Sequence, residues 1–307
     1  MKFFTNHLFW LLLIFTFTGC KSKTSDSKSI ALKPVTENEG APNGTPKQES
    51  PEAVKHDKKH LNIVTWNIAN FGKSKDAEEI AFIAKQLRNA DFVSVQEVST
   101  GNFGAKAIAT LADELNRTGS KWDYFISDPT AGPGPERYAF LWKTPRLKAK
   151  GKAWLAKEID ENVDREPFLG RFEFEGKTFL VVNFHAVPTN KNPANEIVHL
   201  ITLHKNYEAD CVFMMGDFNY SESGDAFAEL KNNGYLPVLK GQKTSLKMKE
   251  TESGQSLANE YDNIFFEKSC AELHRSEVIE FHKSFQDLAQ ARKISDHIPV
   301  SAYFSLK

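Results

Sequence analysis

An excess of charge of either sign is the first thing this chain lacks. Its 39 lysines and arginines meet 40 aspartates and glutamates, a formal net charge of −1 over 307 residues. That balance excludes a protein that coats nucleic acid by global attraction, and it excludes an acidic solvating chain. Any polyanionic partner has to be met by a local patch. Cysteine is scarce as well. Three residues, at 20, 211 and 270, give no disulfide-rich framework and no paired-thiol metal spacing. Short-period repeats are absent, which sets aside solenoids and propellers. The apolar run Leu8 to Phe17 falls short of the ~20 residues that a membrane-spanning helix needs. What the chain does have is 40% apolar content, enough for a substantial core in one large or two ordinary domains.

The N-terminal stretch has the build of a targeting segment. Lys2 precedes the apolar run, and Thr18-Gly19-Cys20 follows it, then Lys21-Ser22-Lys23. Small residues leading into a cysteine resemble a bacterial lipoprotein signal. Residues 1–19 would then be removed and Cys20 would carry the lipid, although Phe17 stands where leucine is usual. An ordinary cleaved signal peptide and an uncleaved anchor are the alternatives. All three place the mature chain outside the cytoplasm, tethered to a membrane or secreted. Residues 22–60 hold prolines at 34, 42, 46 and 51 and no aromatic residue. Such a segment cannot bury enough surface to offset its ordering entropy. Residues 20–60 therefore read as a disordered tether, and 61–307 as the folded domain.

Within that domain, apolar runs end on polar residues again and again. Leu61 to Asn67 alternates as a strand and closes on Asn67. Asp76 precedes an amphipathic segment, Ala77 to Leu87, with Ile80, Ile83, Ala84 and Leu87 at helical spacing. Asp91 to Glu97 is the next strand, again ending on a polar residue. Gly104 to Asn116 patterns as a helix. Glu136 opens the strand Arg137 to Lys143, and the turn at Thr144-Pro145-Arg146 predicts a hairpin. A second hairpin is predicted over Arg171 to Phe174 and Lys177 to Phe184, delivering His185. A helix is predicted over Ala194 to Tyr207. The run Val212 to Met215 reads as a buried strand, and Gly216 lets the backbone turn so that Asp217 and Asn219 share one side of an extended chain. A short helix near Asp225 to Asn232, a surface loop over 241–260, a strand from Tyr261-Asp262 and a helix over Phe281 to Ala291 complete the reading. Ser295-Asp296-His297 then leads into a last strand. Strand, helix and strand with polar ends describe a layered α/β enzyme.

A carboxylate and an amide offered together at a strand end suit a hard cation and a phosphate oxygen. Taken together, TWN at 65–67, QE at 96–97, ERYAFLW at 136–142, FHAVP at 184–188, MGDFN at 215–219, YD at 261–262 and SDHIPV at 295–300 resemble the endonuclease/exonuclease/phosphatase superfamily in its deoxyribonuclease I-like branch. The resemblance implies an α/β (α+β) fold, two packed mixed β-sheets flanked by helices in a four-layer sandwich. It implies hydrolysis of phosphate esters with Mg²⁺, or with Mn²⁺ or Ca²⁺. By the same resemblance Glu97 is the principal metal carboxylate, supported by Asn67 and Asp296. Asp217 and Asn219 hold a second cation or phosphate oxygens. His297, oriented by Asp262, activates water, and His185, oriented by Glu136, faces the leaving oxygen.

His185 and the ERY segment favour the deoxyribonuclease I-like branch and so an enzyme acting on DNA, and a monomer is expected. Ser99 and Gly134 stand where that branch carries its minor-groove arginine and tyrosine, which leaves single strands and RNA open. A phosphatase or sphingomyelinase-like phospholipid diesterase is the rival reading, and a non-catalytic surface binding module a more remote one. Arg137, Lys143 and Arg146 are candidates to hold substrate phosphates, as are Lys148 and the lysines at 243, 247 and 249. Cys211 and Cys270 are expected as two separate buried thiols. A disulfide is the alternative if their strands are antiparallel neighbours.

Overall fold

The computed structural model describes residues 59–208 and 210–307. The expected signal peptide, Cys20 and nearly all of the tether lie outside the described residues. In chain order the elements are β1 (Leu61–Phe71), α1 (Ala77–Leu87), β2 (Phe92–Val98), α2 (Asn102–Asn116), β3 (Trp122–Ile126), β4 (Arg137–Lys143), β5 (Leu147–Ala149), β6 (Trp154–Leu155), β7 (Phe168–Phe174) and β8 (Lys177–His185). Then come α3 (Ala194–Ile197), α4 (Leu200–Asn206), β9 (Cys211–Asp217), α5 (Ala228–Asn232), β10 (Tyr235–Pro237), β11 (Asp262–Glu267), β12 (Ala271–Val278), α6 (Leu288–Ile294) and β13 (Val300–Leu306). One sheet has the order β12-β13-β1-β2-β4-β3. The other runs β10-β11-β9-β8-β7-β5, with β6 on β7.

The two sheets pack face to face. Their inner faces meet in an aromatic core in which Phe172 lies edge-on to Phe92 and Phe140, and Phe213 to Phe304. Each such fully buried side chain contributes about 1.5–3 kcal/mol. On the outside, α1, α2 and α6 cover the first sheet and α3, α4 and α5 the second. This is the expected four-layer arrangement. Helix α1 starts where the sequence says it should, because Asp76 accepts from Glu79 N–H at 2.9 Å and Glu79 reaches back to Asp76 N–H at 3.0 Å.

Register is what gathers the polar strand ends. β1 and β2 are parallel with Asn67 beside Gln96. β8 and β9 are parallel with His185 beside Asp217, and β11 runs antiparallel to β9 with Asp262 beside Asp217. Beneath these ends a buried polar seam joins the sheets. Gln96 Nε2 donates to Asn183 Oδ1 at 2.6 Å and to Thr65 Oγ1 at 3.0 Å, and Asn183 Nδ2 donates to Val95 O at 3.0 Å. Gly216, at φ +140°, is required here: a Cβ would fall 1.9 Å from Phe184 O.

Several expectations need correcting. The strands on either side of Thr144-Pro145-Arg146 do not form a hairpin: β4 lies between β2 and β3, whereas β5 pairs with β7 in the other sheet. Local turn chemistry cannot report a change of sheet. The helix expected over 194–207 is broken at residues 198–199 into α3 and α4, and the Glu196 side chain, within α3, accepts from Val187 N–H and Asp164 N–H. The helix expected over 281–291 is a 3₁₀ turn followed by α6, restarted when Asp287 caps Gln290 N–H at 2.8 Å. The stretch 241–260 is not all surface, for Thr244 is fully buried and Ser245 bridges to His297. Cys211 and Cys270 are not separate thiols. They form a disulfide with a Cα separation of 5.5 Å, because the antiparallel pairing of β9 and β11 brings the turn after β11 to the start of β9.

Candidate active site

Two histidines, each backed by a carboxylate, converge on one aspartate. His185, at the end of β8, turns Nδ1 to Glu136, 3.0 and 2.9 Å from its two oxygens. His297 turns Nδ1 to Asp262 Oδ2 at 2.8 Å. A carboxylate against Nδ1 holds the proton there and leaves Nε2 for chemistry. Both Nε2 atoms face the same oxygen, Asp217 Oδ2, at 3.4 Å from His185 and 3.6 Å from His297. All five of these side chains are buried.

Asn67 connects this group to Glu97. Its Nδ2 donates to Asp217 Oδ2 at 3.1 Å and to Glu97 Oε1 at 3.0 Å. Glu97 Oε2 accepts from Asn70 N–H at 2.9 Å, and the carbonyl of that same peptide, Ala69 O, accepts from Lys75 Nζ at 2.7 Å. A charge at each end of one peptide polarises it and strengthens both bonds. Asn219 donates its N–H to Asp217 Oδ1 at 2.8 Å and its Nδ2 to Ala186 O at 3.1 Å. Asn70, Glu97 and Asn219 have φ of +50°, +61° and +48°. Left-handed backbone at three non-glycine residues costs free energy that their surroundings must supply.

Ser295 is fully buried and holds the last loop in place. It donates to Asn67 O at 2.6 Å and accepts from His297 N–H at 3.0 Å and Ala69 N–H at 3.3 Å. Thr244 Oγ1 donates to Asp262 Oδ2 at 2.7 Å. Arg165, also buried, donates from Nε to His185 O at 3.0 Å and from Nη2 to Ala186 O at 2.5 Å, with Nη1 3.8 Å from Glu136. The sequence reading missed all three. Arg165, between Asp164 and Glu166, looks like a solvated loop charge, and nothing local marks Thr244 or Ser295 as buried.

The electrostatics follow from burial among carboxylates. For His297, burial opposes the charged form, but Asp262 and Asp217 outweigh it and hold the imidazole's pKa well above the usual 6.5. For His185, burial is likewise outweighed by Glu136, and its pKa is raised. Asp217 is buried too, yet the two imidazoles and the donors from Asn219 and Asn67 keep its pKa low. Burial pushes Asp262 up to about 6.

The residues fit a divalent cation. Glu97 and Asp217 line a cleft of about 500 Å³ together with Asn219 and both histidines. Asn67 Oδ1 is a buried acceptor with no hydrogen-bond partner, on the side chain that links the two carboxylates. Hard oxygens of this kind suit Mg²⁺ or Ca²⁺. Ligand atoms of Asp217, Asp262 and His297 also lie within 4.8 Å of one another. In that set His297 Nδ1 and Asp262 Oδ2 are already hydrogen-bonded to each other at 2.8 Å.

Placement of the remaining expected residues differs. Asp296 is paired with Arg292 Nη2 at 3.1 Å and, like Asn67, is not among the side chains that line the cleft. Arg137 lies next to Glu136, but its guanidinium donates to Thr100 O and Ser127 O. Lys143 and Arg146 do not reach the cleft. Lys143 ends β4, six residues or about 20 Å of strand from Arg137. Its ammonium lies over the Trp122 ring and 4.0 Å from Asp91, and Arg146 pairs with that same Asp91 at 3.2 Å.

Comparison with known proteins gives this geometry a family. The profile of the endonuclease/exonuclease/phosphatase family matches residues 64–297, which include every residue of the cleft named above. The chain belongs to that family. It is a hydrolase of phosphate esters. A deoxyribonuclease from Thioalkalivibrio sp. (strain K90mix) is 27% identical over 268 residues, covering 80% of this chain and 71% of that one. Among solved structures, an endonuclease/exonuclease/phosphatase family protein from Bacteroides thetaiotaomicron is similar with a TM-score of 0.59 and 15% identity, over 80% of this chain and 97% of that one. The human Nocturnin catalytic domain with bound sulfate has the same TM-score and identity, over 81% and 94%. At such identities these likenesses establish the fold alone.

Proposed function

We propose that the protein is a divalent-cation-dependent phosphodiesterase that cleaves DNA internally. The observation that carries the reading is the convergence of His185 Nε2 and His297 Nε2 on Asp217 Oδ2, at 3.4 and 3.6 Å, each imidazole backed by its own carboxylate. Displacement at a phosphodiester needs a proton taken from the attacking water and another given to the departing alkoxide. His297 Nε2, in its neutral form, takes the first, and Asp262 beside Nδ1 stabilises the imidazolium that results. His185 Nε2, which Glu136 holds towards the protonated form, gives the second. Asn219 and Asn67 orient Asp217, and Arg165 fixes the backbone that carries His185. When bound, the cation held by Glu97 and Asp217, with Asn67 Oδ1, supplies charge neutralisation at the phosphate oxygens.

A diester suits the site better than a monoester. Among the described residues, Arg165 is the one arginine or lysine that lines the cleft, and Glu136 offsets it, so little fixed positive charge is offered to a dianionic monoester. The Thioalkalivibrio relative, a deoxyribonuclease, supports DNA as substrate. Supercoiled plasmid incubated with the protein and Mg²⁺ should open to nicked circles, chelator should abolish opening, and His297→Ala should slow it at least ~100-fold. Phosphate release from a soluble monoester, with circles intact, would replace this reading with a phosphatase.

The same proposal has the enzyme exported and held at the cell envelope by a lipid on Cys20. The Cys211–Cys270 disulfide supports an oxidising compartment. In a bacterial host, Cys20→Ser should move the protein from the membrane pellet to the soluble fraction. Unchanged fractionation would exclude the lipid.

A further inference from the structure

Phe103 is the one aromatic side chain left exposed among the described residues, at 54%. It stands in the first turn of α2, a few residues beyond Ser99 and Thr100, which line the cleft. Lys73 Nζ lies 5.6 Å from the centroid of its ring. Lys73 follows Gly72, where a Cβ would fall 2.5 Å from Ser99 Oγ, so the loop after β1 and the loop after β2 touch at this point. Asn70, next to last in β1, lines the cleft and holds Glu97. Phe103 and Lys73 therefore lie beside the stretch Val98 to Thr100 that lines the cleft, without lining it themselves. No carboxylate pairs with Lys73 among the described residues, and α2 has no acid in its first turn.

A ring that faces solvent beside a phosphoryl-transfer cleft offers a flat apolar surface, and an unpaired ammonium next to it offers a counter-charge. Duplex bases have their faces covered by their neighbours. Unpaired bases do not, and stacking on aromatic side chains is how single strands are held without regard to sequence. We propose that Phe103 and Lys73 form a nucleotide subsite in which an unpaired base stacks on the ring while Lys73 holds the adjoining phosphate. The enzyme would then favour single-stranded or locally unpaired nucleic acid. This rests on the phosphodiesterase reading and adds the form of the substrate to it.

The test is steady-state cleavage of two single strands of equal length with the full-length protein and Mg²⁺, one a thymidine oligonucleotide and the other built of abasic units. Phe103→Ala should raise KM for the thymidine strand about tenfold, Phe103→Trp should restore it, and KM for the abasic strand should change less than twofold. Lys73→Ala should flatten the dependence of log(kcat/KM) on log salt by about 0.7 for both strands. A thymidine KM within twofold of wild type in Phe103→Ala, or an equal loss on the abasic strand, would overturn the subsite while leaving the phosphodiesterase reading intact. If the wild-type protein cleaves neither strand and instead releases phosphate from a monoester, that reading falls and the subsite falls with it.

Discussion

At the scale of single residues, Asp217 Oδ2 shows how much depends on one atom. It accepts from Asn67 and faces both imidazoles, so its charge supports the two proton carriers at once. Its residue type and position at a strand end were legible in the sequence, as were those of Asn67, Glu97, Asn219 and the two histidines. Arg165, Thr244 and Ser295 were not, because each hydrogen-bonds backbone or a carboxylate far away in sequence, and Lys75 was not, because its partner is a backbone carbonyl, Ala69 O, that no residue pattern marks. Glu166 belongs to the same class. It accepts from Lys157 and from Ala131 N–H at 2.8 Å, anchoring the loop that carries Gly134 and Pro135 to the cleft wall. Burial raises its pKa, but the two donors outweigh burial and hold it below the ordinary 4.5. A carboxylate held low in the folded chain favours folding above its unfolded pKa, and loses that contribution as pH falls through the folded value. Glu166→Gln should therefore cost about 1–2 kcal/mol at pH 7 in urea unfolding and converge on wild type once pH has fallen through the lowered folded-state pKa. An equal gap at pH 7 and below that pKa would show that charge is not the cause.

Among the elements, β9 does two jobs at its two ends. Its start carries Cys211 and its end Asp217, six residues or about 20 Å apart. The disulfide at the start closes a loop across 59 residues of sequence, for which chain entropy gives at most about 4 kcal/mol. Cys211→Ser should lower unfolding stability by about 2–4 kcal/mol, measured by denaturant melts, and reductant should do the same to wild type but nothing to the variant. Because the bond lies at the strand end opposite the site, the rate per folded molecule should stay within about twofold. A large fall in kcat with stability unchanged would mean that the strand transmits strain to Asp217. The missed bond has a plain cause. Strand periodicity identifies β9 and β11 one at a time, whereas their antiparallel pairing is decided by the whole sheet. The false hairpin at 144–146 arose in the same way, since a turn signal does not say which sheet the next strand joins.

For the molecule as a whole, two sheets meeting through an aromatic core bring strand ends from residues 67 to 297 to one edge. Asn67 and Glu97 come from one sheet and His185, Asp217 and Asp262 from the other, so the cation position lies where the sheets meet. A ligand that binds only this assembled edge should stabilise the fold by mass action. Mg²⁺ at about 100 times its Kd should add about 2.7 kcal/mol and raise Tm, and Glu97→Gln should remove most of that rise. Equal Tm shifts in both proteins would place the cation elsewhere, whatever the activity.

The sequence by itself determined the elements and the chemistry on offer. Alternating apolar runs, capped helices and polar strand ends are local properties, set by periods of 2.0 and 3.6 residues and by backbone sterics. The family motifs, in order over residues 65–300, made the cleft's principal side chains readable before any coordinates. Only the tertiary structure decided which basic residues reach the cleft, which thiols meet, and which hydroxyls and guanidinium hold the histidines. Those outcomes depend on strand register and sheet membership. These are settled by the packing of many side chains at once, and no short stretch of the chain encodes them.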